Sequence, residues 1–243
     1  MSEQIQYSFK RHEIKFLLEP DMFRDFYPEL QKRMTEDLYG KYSIHNIYYD
    51  TPDYLLIRRS LDKPVYKEKF RLRSYGLISA DDTMFAEIKK KYKGIVYKRR
   101  IVLPGREFEH MIHGDKIPDC DFQIQQEIIQ FFHTYQNLEP KAYISYDRIA
   151  LAGVGEDSTL RVTFDQNISF REKNLFLWSE GDVMSMLPNE KIVMEIKVDH
   201  AVPLWLVSLL SEFKIYKCSF SKYGTYYTNY IAKELQERMK HNA

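Results

Sequence analysis

The segment 65–75 sets Lys67, Lys69, Arg71 and Arg73 at every second residue, with Phe70 and Leu72 between them. A β-strand turns alternate residues to one side, so four cations share a face. The pattern recurs along the chain. Segment 84–91 aligns Glu87, Lys89 and Lys91 opposite Ala86 and Ile88, and segment 96–103 aligns Lys98 with Arg100 while Arg99 falls on the other face. Segment 141–150 offers Arg148 in phase with Tyr146, and segment 159–166 aligns Arg161, Thr163 and Asp165 opposite Leu160, Val162 and Phe164. Segment 191–199 aligns Glu195, Lys197 and Asp199 opposite Met194, Ile196 and Val198, and segment 10–18 aligns Arg11, Glu13 and Lys15 opposite Ile14 and Phe16.

Arginine and lysine concentrated in this way suit phosphate. The guanidinium fork binds two oxygens at once and stays charged when buried, and lysine adds point charges. A sheet with one wet face would also alternate, but a plain solvent face mixes Thr, Ser, Gln and Glu with Lys. Neighbouring like charges on one face repel each other. An ionic lumen filled by a polyanion relieves that repulsion, and a hard divalent cation accounts for the carboxylates among the cations. Other chemistries find no support. The sequence contains no GxxxxGK[ST] phosphate loop, no HExxH, no Ser-His-Asp spacing and no cluster of its 7 histidines.

The elements that must carry these residues are eight long strands, over the seven segments above and 43–50. Asn174 to Trp178 reads as an additional hairpin arm. Lys93-Gly94 is a tight turn joining two strands, and Gly153-Val154-Gly155 joins another pair. Helical spacing appears four times: in Phe23, Phe26, Tyr27, Leu30 and Met34 after Pro20; in Ile128, Phe132 and Tyr135; in Leu206, Leu209, Leu210 and Phe213 after Pro203; and in Tyr223, Tyr226, Tyr227, Tyr230 and Ile231. Each stripe reads as core packing. The expected fold is α+β: a closed eight-stranded antiparallel β-tunnel, helices packed outside, and a C-terminal helix.

Bulk properties agree. With 243 residues the chain is expected to form a single unit over 1–243 with a sizeable core. Aromatic residues reach 15%, which favours strands, and 9 glycines are too few for a collagen or a glycine-rich linker. A net charge of +1 is low for a nonspecific nucleic-acid binder. The basic run KKKYKGIVYKRR reads as a hairpin rather than a nucleic-acid patch, and no nucleic-acid partner is expected. Cys120 and Cys218 show no metal spacing and read as thiols of a reducing compartment. The opening MSEQIQYSFKRHEIKF lacks an apolar core, and no stretch approaches a membrane span, so a soluble cytoplasmic protein is expected.

RHEIKF, IYYDTPDY, KFRLRSYG, AEIKKKYKG with YKRRIVL, AYISYDR, LRVTFD, MEIKVD and SFSKYG follow one another over nearly the whole chain. In this order and spacing they resemble the bacterial vacuolar transporter chaperone (VTC)-type polyphosphate polymerase domain, within the triphosphate tunnel metalloenzyme (CYTH-like) superfamily. The resemblance implies that Lys15, Arg71, Arg73, Lys89, Lys98, Arg148, Arg161 and Lys222 grip the phosphates, with Lys69, Arg100 and Lys197 as further substrate contacts. It implies Glu195 as a ligand of Mn2+ or Mg2+, and Glu13 beside it. The superfamily's ExExK signature keeps only Glu13 and Lys15 here, with Arg11 in place of the leading glutamate, which favours the polymerase branch. The implied reaction moves the γ-phosphate of ATP onto inorganic polyphosphate and releases ADP. Hydrolysis of triphosphate in the same tunnel and non-catalytic polyphosphate binding are the alternatives.

Overall fold

The computed structural model describes residues 12–93, 95–115 and 121–241. Arg11, Gly94 and Cys120 therefore lie outside the described residues. Ten antiparallel strands form one sheet: β1 (His12–Leu18), β2 (Met34–Asp50), β3 (Tyr66–Tyr75), β4 (Thr83–Tyr92), β5 (Ile95–Pro104), β6 (Glu139–Gly153), β7 (Arg161–Arg171), β8 (Met184–Ser185), β9 (Ile192–Val198) and β10 (Lys217–Cys218). Their order is β10-β1-β9-β7-β6-β2-β3-β4-β5, with β8 on β7. Eight strands are long and two have only two residues each.

The closed ladder expected from the sequence is corrected in one respect. Backbone pairing ends at β10 on one side and β5 on the other. The two-residue β10 is too short to continue the ladder to β5. Side chains bridge the seam instead: Lys89 on β4 donates to Glu13 on β1 at 2.8 Å. Lys69 on β3 donates to Ser221, just beyond β10, at 2.9 Å.

Other boundaries shift for local reasons. Met34, expected on the first helix, opens β2, because α1 (Pro20–Gln31) stops before it and the strand starts upstream of a bulge between Glu36 and Lys41. The segment 174–178 makes no strand; Asn174, Phe176 and Ser179 turn their carbonyls onto the buried Arg171 guanidinium. The β4–β5 turn is tight as expected, with Tyr92 paired to Ile95. At the β6–β7 turn a Cβ on Gly153 would lie 2.0 Å from the Asp157 carbonyl oxygen, so only glycine fits.

The apolar faces of the strands are covered on the convex side. Phe26 and Leu30 of α1, with Leu206 and Leu210 of α5 (Leu204–Glu212), bury Phe16, Phe164, Met194 and Ile196. Phe108 of α3 (Glu107–Ile112) and Ile128 and Phe131 of α4 (Phe122–Thr134) bury Ile47, Phe70, Ile88 and Ile101. The last helices behave differently. Tyr223 and Tyr226 of α6 (Lys222–Tyr226), followed by a π-helical turn Tyr227–Ile231 and α7 (Ala232–His241), join a cluster with Tyr48, Ala142, Ile144, Phe170 and Val193. Tyr48 and Ile144 share the face that carries the arginines, so α6 covers one end of the concave side.

Asp50 ties that end together. Its carboxylate accepts the backbone N–H groups of Thr51 (2.9 Å), Leu56 (2.8 Å) and Ile57 (3.0 Å). It thus caps α2 (Leu55–Leu61), which opens on Tyr54 at a positive φ of 61°. The Tyr223 hydroxyl donates to the same carboxylate at 3.1 Å, which anchors α6. Asp50→Ala strands these buried donors and should cost about 2–4 kcal/mol. The expected fall in Tm, read by calorimetry, is roughly 5–12 °C; a shift within experimental error would show that Asp50 does not hold α2 and α6.

Candidate functional site: a basic lumen

The concave face collects the charged residues of β1, β3, β4, β5, β6, β7 and β9, because the alternation of each strand turns them the same way. Glu87, 1% exposed, sits at one focus. It accepts a hydrogen bond from Arg71 Nε at 2.8 Å and forms ion pairs with Lys98 Nζ at 2.5 Å and Arg73 Nε at 3.8 Å. Burial works against its charge, but Arg73, Arg71 and Lys98 outweigh it and hold Glu87 well below the usual carboxylate range. Arg73 also donates to Asn46 Oδ1 at 3.0 Å and to the Tyr146 hydroxyl at 3.3 Å, and Arg71 donates to the Tyr48 hydroxyl at 3.2 Å.

Asp165 is the second focus. Arg148 clasps it with two bonds of 2.7 and 2.9 Å, and Lys222 at the start of α6 donates to it too. Here again burial opposes the charge, and Arg148 and Lys222 outweigh it, so Asp165 titrates far below its ordinary value. Glu195, flanked by Lys197 at 3.3 Å and Lys15 at 3.9 Å, forms a third group. Lys15 also donates to the Phe220 carbonyl at 3.0 Å. Glu13 with Lys89 completes the ring across the seam.

The structure thus places Lys15, Arg71, Arg73, Lys89, Lys98, Arg148, Lys197, Lys222, Glu13 and Glu195 around one lumen. Two of the sequence-derived residues stand apart. Arg161 lies at the mouth, paired to Asp37 of the β2 bulge at 2.6 Å, and its side chain is 38% exposed. Arg100 leans over the Phe85 ring at 4.9 Å. Among the described residues Lys69 pairs with no carboxylate; it donates to the Ser221 hydroxyl, which also caps α6 by accepting Gly224 N–H at 3.2 Å. Asp199 lies just beyond the end of β9. On the ionic face Glu87 and Asp165 read from the sequence as companions of a divalent cation; in the structure they pair with arginine and lysine, and Asn46, Tyr48 and Ser221 join them with no sequence-derived role. Alternation in IHNIYYD does set Asn46 and Tyr48 in phase, which is the signal that could have found them.

Tyr146 is a neutral group that the lumen's cations perturb. Burial alone would raise its hydroxyl. Arg73, Arg148 and Lys222 outweigh burial and bring it down to about 8. Lys222 lies 4.1 Å and Arg148 5.3 Å from its ring centre.

As for a divalent metal, no three His, Cys, Asp or Glu side chains come together among the described residues. Glu195 and Glu13 occupy diagonal positions on paired strands, since Glu13 is opposite Lys197 and Lys15 is opposite Glu195. A hard cation that shares phosphate oxygens and water needs only one or two protein carboxylates, which this pair supplies. The donor set therefore fits Mg2+ or Mn2+ brought in with a phosphate chain.

Lys69 gives the lumen a measurable pH signature. Burial first, then Lys15, Lys67, Lys89 and Arg71, push its ammonium down to about 7 from 10.5. The folded chain thus binds fewer protons than the unfolded chain between these values. The unfavourable contribution of Lys69 is full below pH 7 and is relieved as pH rises toward 10.5. A bound polyanion restores the proton. At pH 8, tripolyphosphate binding by the wild type should take up roughly one proton more than by Lys69→Met. Titration calorimetry in buffers of different ionisation heat reads this difference, and equal uptake by the two proteins would refute the assignment.

Comparison with known proteins follows the geometry. No curated protein sequence matches the chain. Among solved structures, a candidate adenylate cyclase from Bacillus halodurans is similar over 89% of this chain and 96% of its own, at 12% identity and a TM-score of 0.55. HpAC1 from Hippeastrum, a candidate adenylyl cyclase described as having a dominant triphosphatase activity, is similar over 91% and 96%, at 12% identity and a TM-score of 0.53. At such identities these likenesses show the fold. The family of VTC domains matches residues 10–230, nearly the whole of the described chain. The chain belongs to the VTC domain family, on a triphosphate tunnel fold.

Proposed function

We propose that the chain transfers the γ-phosphoryl group of ATP to the end of a growing inorganic polyphosphate chain and releases ADP. The observation that supports this reading is the charge balance of the lumen. Glu87 is shared by Arg71, Arg73 and Lys98, Asp165 by Arg148 and Lys222, and Glu195 by Lys197 and Lys15. Lys69 adds charge and, among the described residues, pairs with no carboxylate. A linear polyphosphate is the ligand whose repeated charge matches such a surplus.

In this reading Arg71, Arg73 and Arg148 grip the non-bridging oxygens around the transferred group. The bond from γ-phosphorus to the β,γ-bridging oxygen breaks, a terminal oxygen of the acceptor forms the new bond, and ADP leaves. Fixed cations stabilise charge on the equatorial oxygens without moving to do so, which is how phosphoryl transfer is accelerated. Asn46, Tyr48 and Tyr146 fix the guanidinium groups, so little reorganisation is needed. Glu195, with Glu13, would hold the divalent ion, which neutralises phosphate charge when bound. Burial of the lumen on the convex side by α1, α3, α4 and α5 keeps the arginines in a medium where each contact counts for more. The setting proposed for this activity is the cytoplasm, where ATP is available; among the described residues no helix is long and apolar enough to cross a membrane.

A second reading is hydrolysis of a triphosphate in the same lumen, water replacing the acceptor. The structural likeness to HpAC1, with its triphosphatase activity, favours it. Incubation with ATP and Mn2+ or Mg2+ separates the two: ADP with polyphosphate supports transfer, and ADP with free phosphate supports hydrolysis.

Glu195→Gln keeps the size of the side chain and removes its charge. Turnover should fall by about a hundredfold or more, while metal-free tripolyphosphate affinity holds or improves, because a negative charge leaves the lumen. Arg73→Ala should weaken binding and turnover together. Metal-dependent turnover of Glu195→Gln near that of the wild type would transfer the metal role to Glu13 or Glu87.

A further inference from the structure

One end of the lumen is covered by α6, and the other carries an arc of aromatic rings. Tyr39 of the β2 bulge meets Tyr42 at 6.1 Å between ring centres. Tyr42 meets Tyr75 at 5.9 Å, and Tyr75 meets Phe85 at 5.5 Å. These rings come from three adjacent strands, at the end of β3 and near the start of β4. They do not behave as core: Tyr39 is 64% and Tyr75 45% exposed. Tyrosines paired to each other yet open to solvent at the mouth of a cationic channel call for a ligand with a flat face.

The flanking cations mark the same place. Arg100 Nε, next to the Phe85 ring, is buried with no hydrogen-bond partner among the described residues. Arg161 stands on the same rim, held by Asp37 and within 3.5 Å of the Tyr42 hydroxyl. Tyr75 follows Arg73 by two strand residues, roughly 6.6 Å along the channel. A nucleotide whose β- and γ-phosphates lie at Arg71, Arg73 and Arg148 would therefore bring its α-phosphate toward Arg100 and its base to the rings.

We infer that Tyr39, Tyr42, Tyr75 and Phe85 form a stacking subsite for the nucleobase of a nucleoside triphosphate, with Arg100 and Arg161 set to meet the α-phosphate and sugar edge. The inference rests on the reading of the lumen as a phosphate channel and adds the direction of entry: the nucleotide enters phosphates first, from the end opposite α6. Stacking is tolerant of base identity because every base has a π-face. The subsite thus separates nucleoside triphosphates as a class from inorganic chains, and it discriminates weakly between adenine and guanine.

The test compares ATP with tripolyphosphate, which has the phosphates and no base. Dissociation constants for both are measured by titration calorimetry without metal, for the wild type, Tyr75→Ala, Tyr75→Phe and Tyr39→Ala. The ratio of the ATP constant to the tripolyphosphate constant should rise roughly tenfold in Tyr75→Ala. It should stay near the wild-type ratio in Tyr75→Phe, which retains a ring. Tyr39→Ala, at the more exposed position, gives an independent reading, with a rise of a fewfold. Wild-type tripolyphosphate binding together with an unchanged ratio in both alanine variants would overturn the stacking subsite and leave the phosphate channel standing. Absence of tripolyphosphate binding to the wild type would overturn both.

Discussion

Mutual repulsion among cations crowded into one lumen is the constraint on which this structure depends. Lys15, Lys69, Lys89, Arg71, Arg73, Lys98, Arg148, Lys197 and Lys222 face one another across a lumen where, among the described residues, Glu13, Glu87, Asp165 and Glu195 offset them. Charges in such a medium interact several times more strongly than in water. The fold answers by sharing. Glu87 and Asp165 each pair with more than one cation, and hydroxyl and amide oxygens of Tyr48, Tyr146, Asn46 and Ser221 accept further N–H groups of Lys69, Arg71 and Arg73. What sharing leaves uncompensated is a standing attraction for a polyanion.

Packing makes that arrangement tenable. Three groups of apolar residues, two beneath the convex helices and one around α6, supply the burial that offsets an unfavourable lumen. The α6 cluster joins core and site directly. Ser221 caps the helix and meets Lys69; Lys222 meets Asp165; Tyr223 stacks on Tyr48 at 4.9 Å and donates to Asp50. Tyr48 in turn meets Arg71. The short segment SFSKYG therefore positions residues on β2, β3 and β7 at once, so a change there reaches the cations of the lumen as well as the stability of the fold.

Much of this was legible in the sequence because a period of two is unambiguous when one face is ionic. KFRLR could not sit on a strand without putting Lys69, Arg71 and Arg73 together, and MEIKV could not avoid grouping Glu195 with Lys197. The features that escaped are non-local. Whether the first and last strands of a sheet meet depends on the length of β10, and nothing in Lys217–Cys218 announces that two residues pair there. The stripe of Tyr223, Tyr226 and Tyr227 reads as core equally well inside or outside a tunnel. Arg161 was grouped with the lumen because its phase is right; the β2 bulge that carries Asp37 to it leaves no mark on the alternation. Asn174 to Trp178 has strand-forming residues, but the buried Arg171, with no carboxylate partner among the described residues, recruits their carbonyls into a turn.

The excess charge of the lumen predicts that it draws in a polyanion. The deciding measurement is tripolyphosphate binding, followed by calorimetry and by melting temperature, at about 0.05 and about 0.5 M salt. Tight binding at the lower salt should weaken severalfold or more at the higher, and ligand at about a hundred times Kd should raise Tm by roughly 5–10 °C. An affinity indifferent to salt, or a melting temperature that tripolyphosphate leaves unmoved, would contradict a lumen built for a phosphate chain.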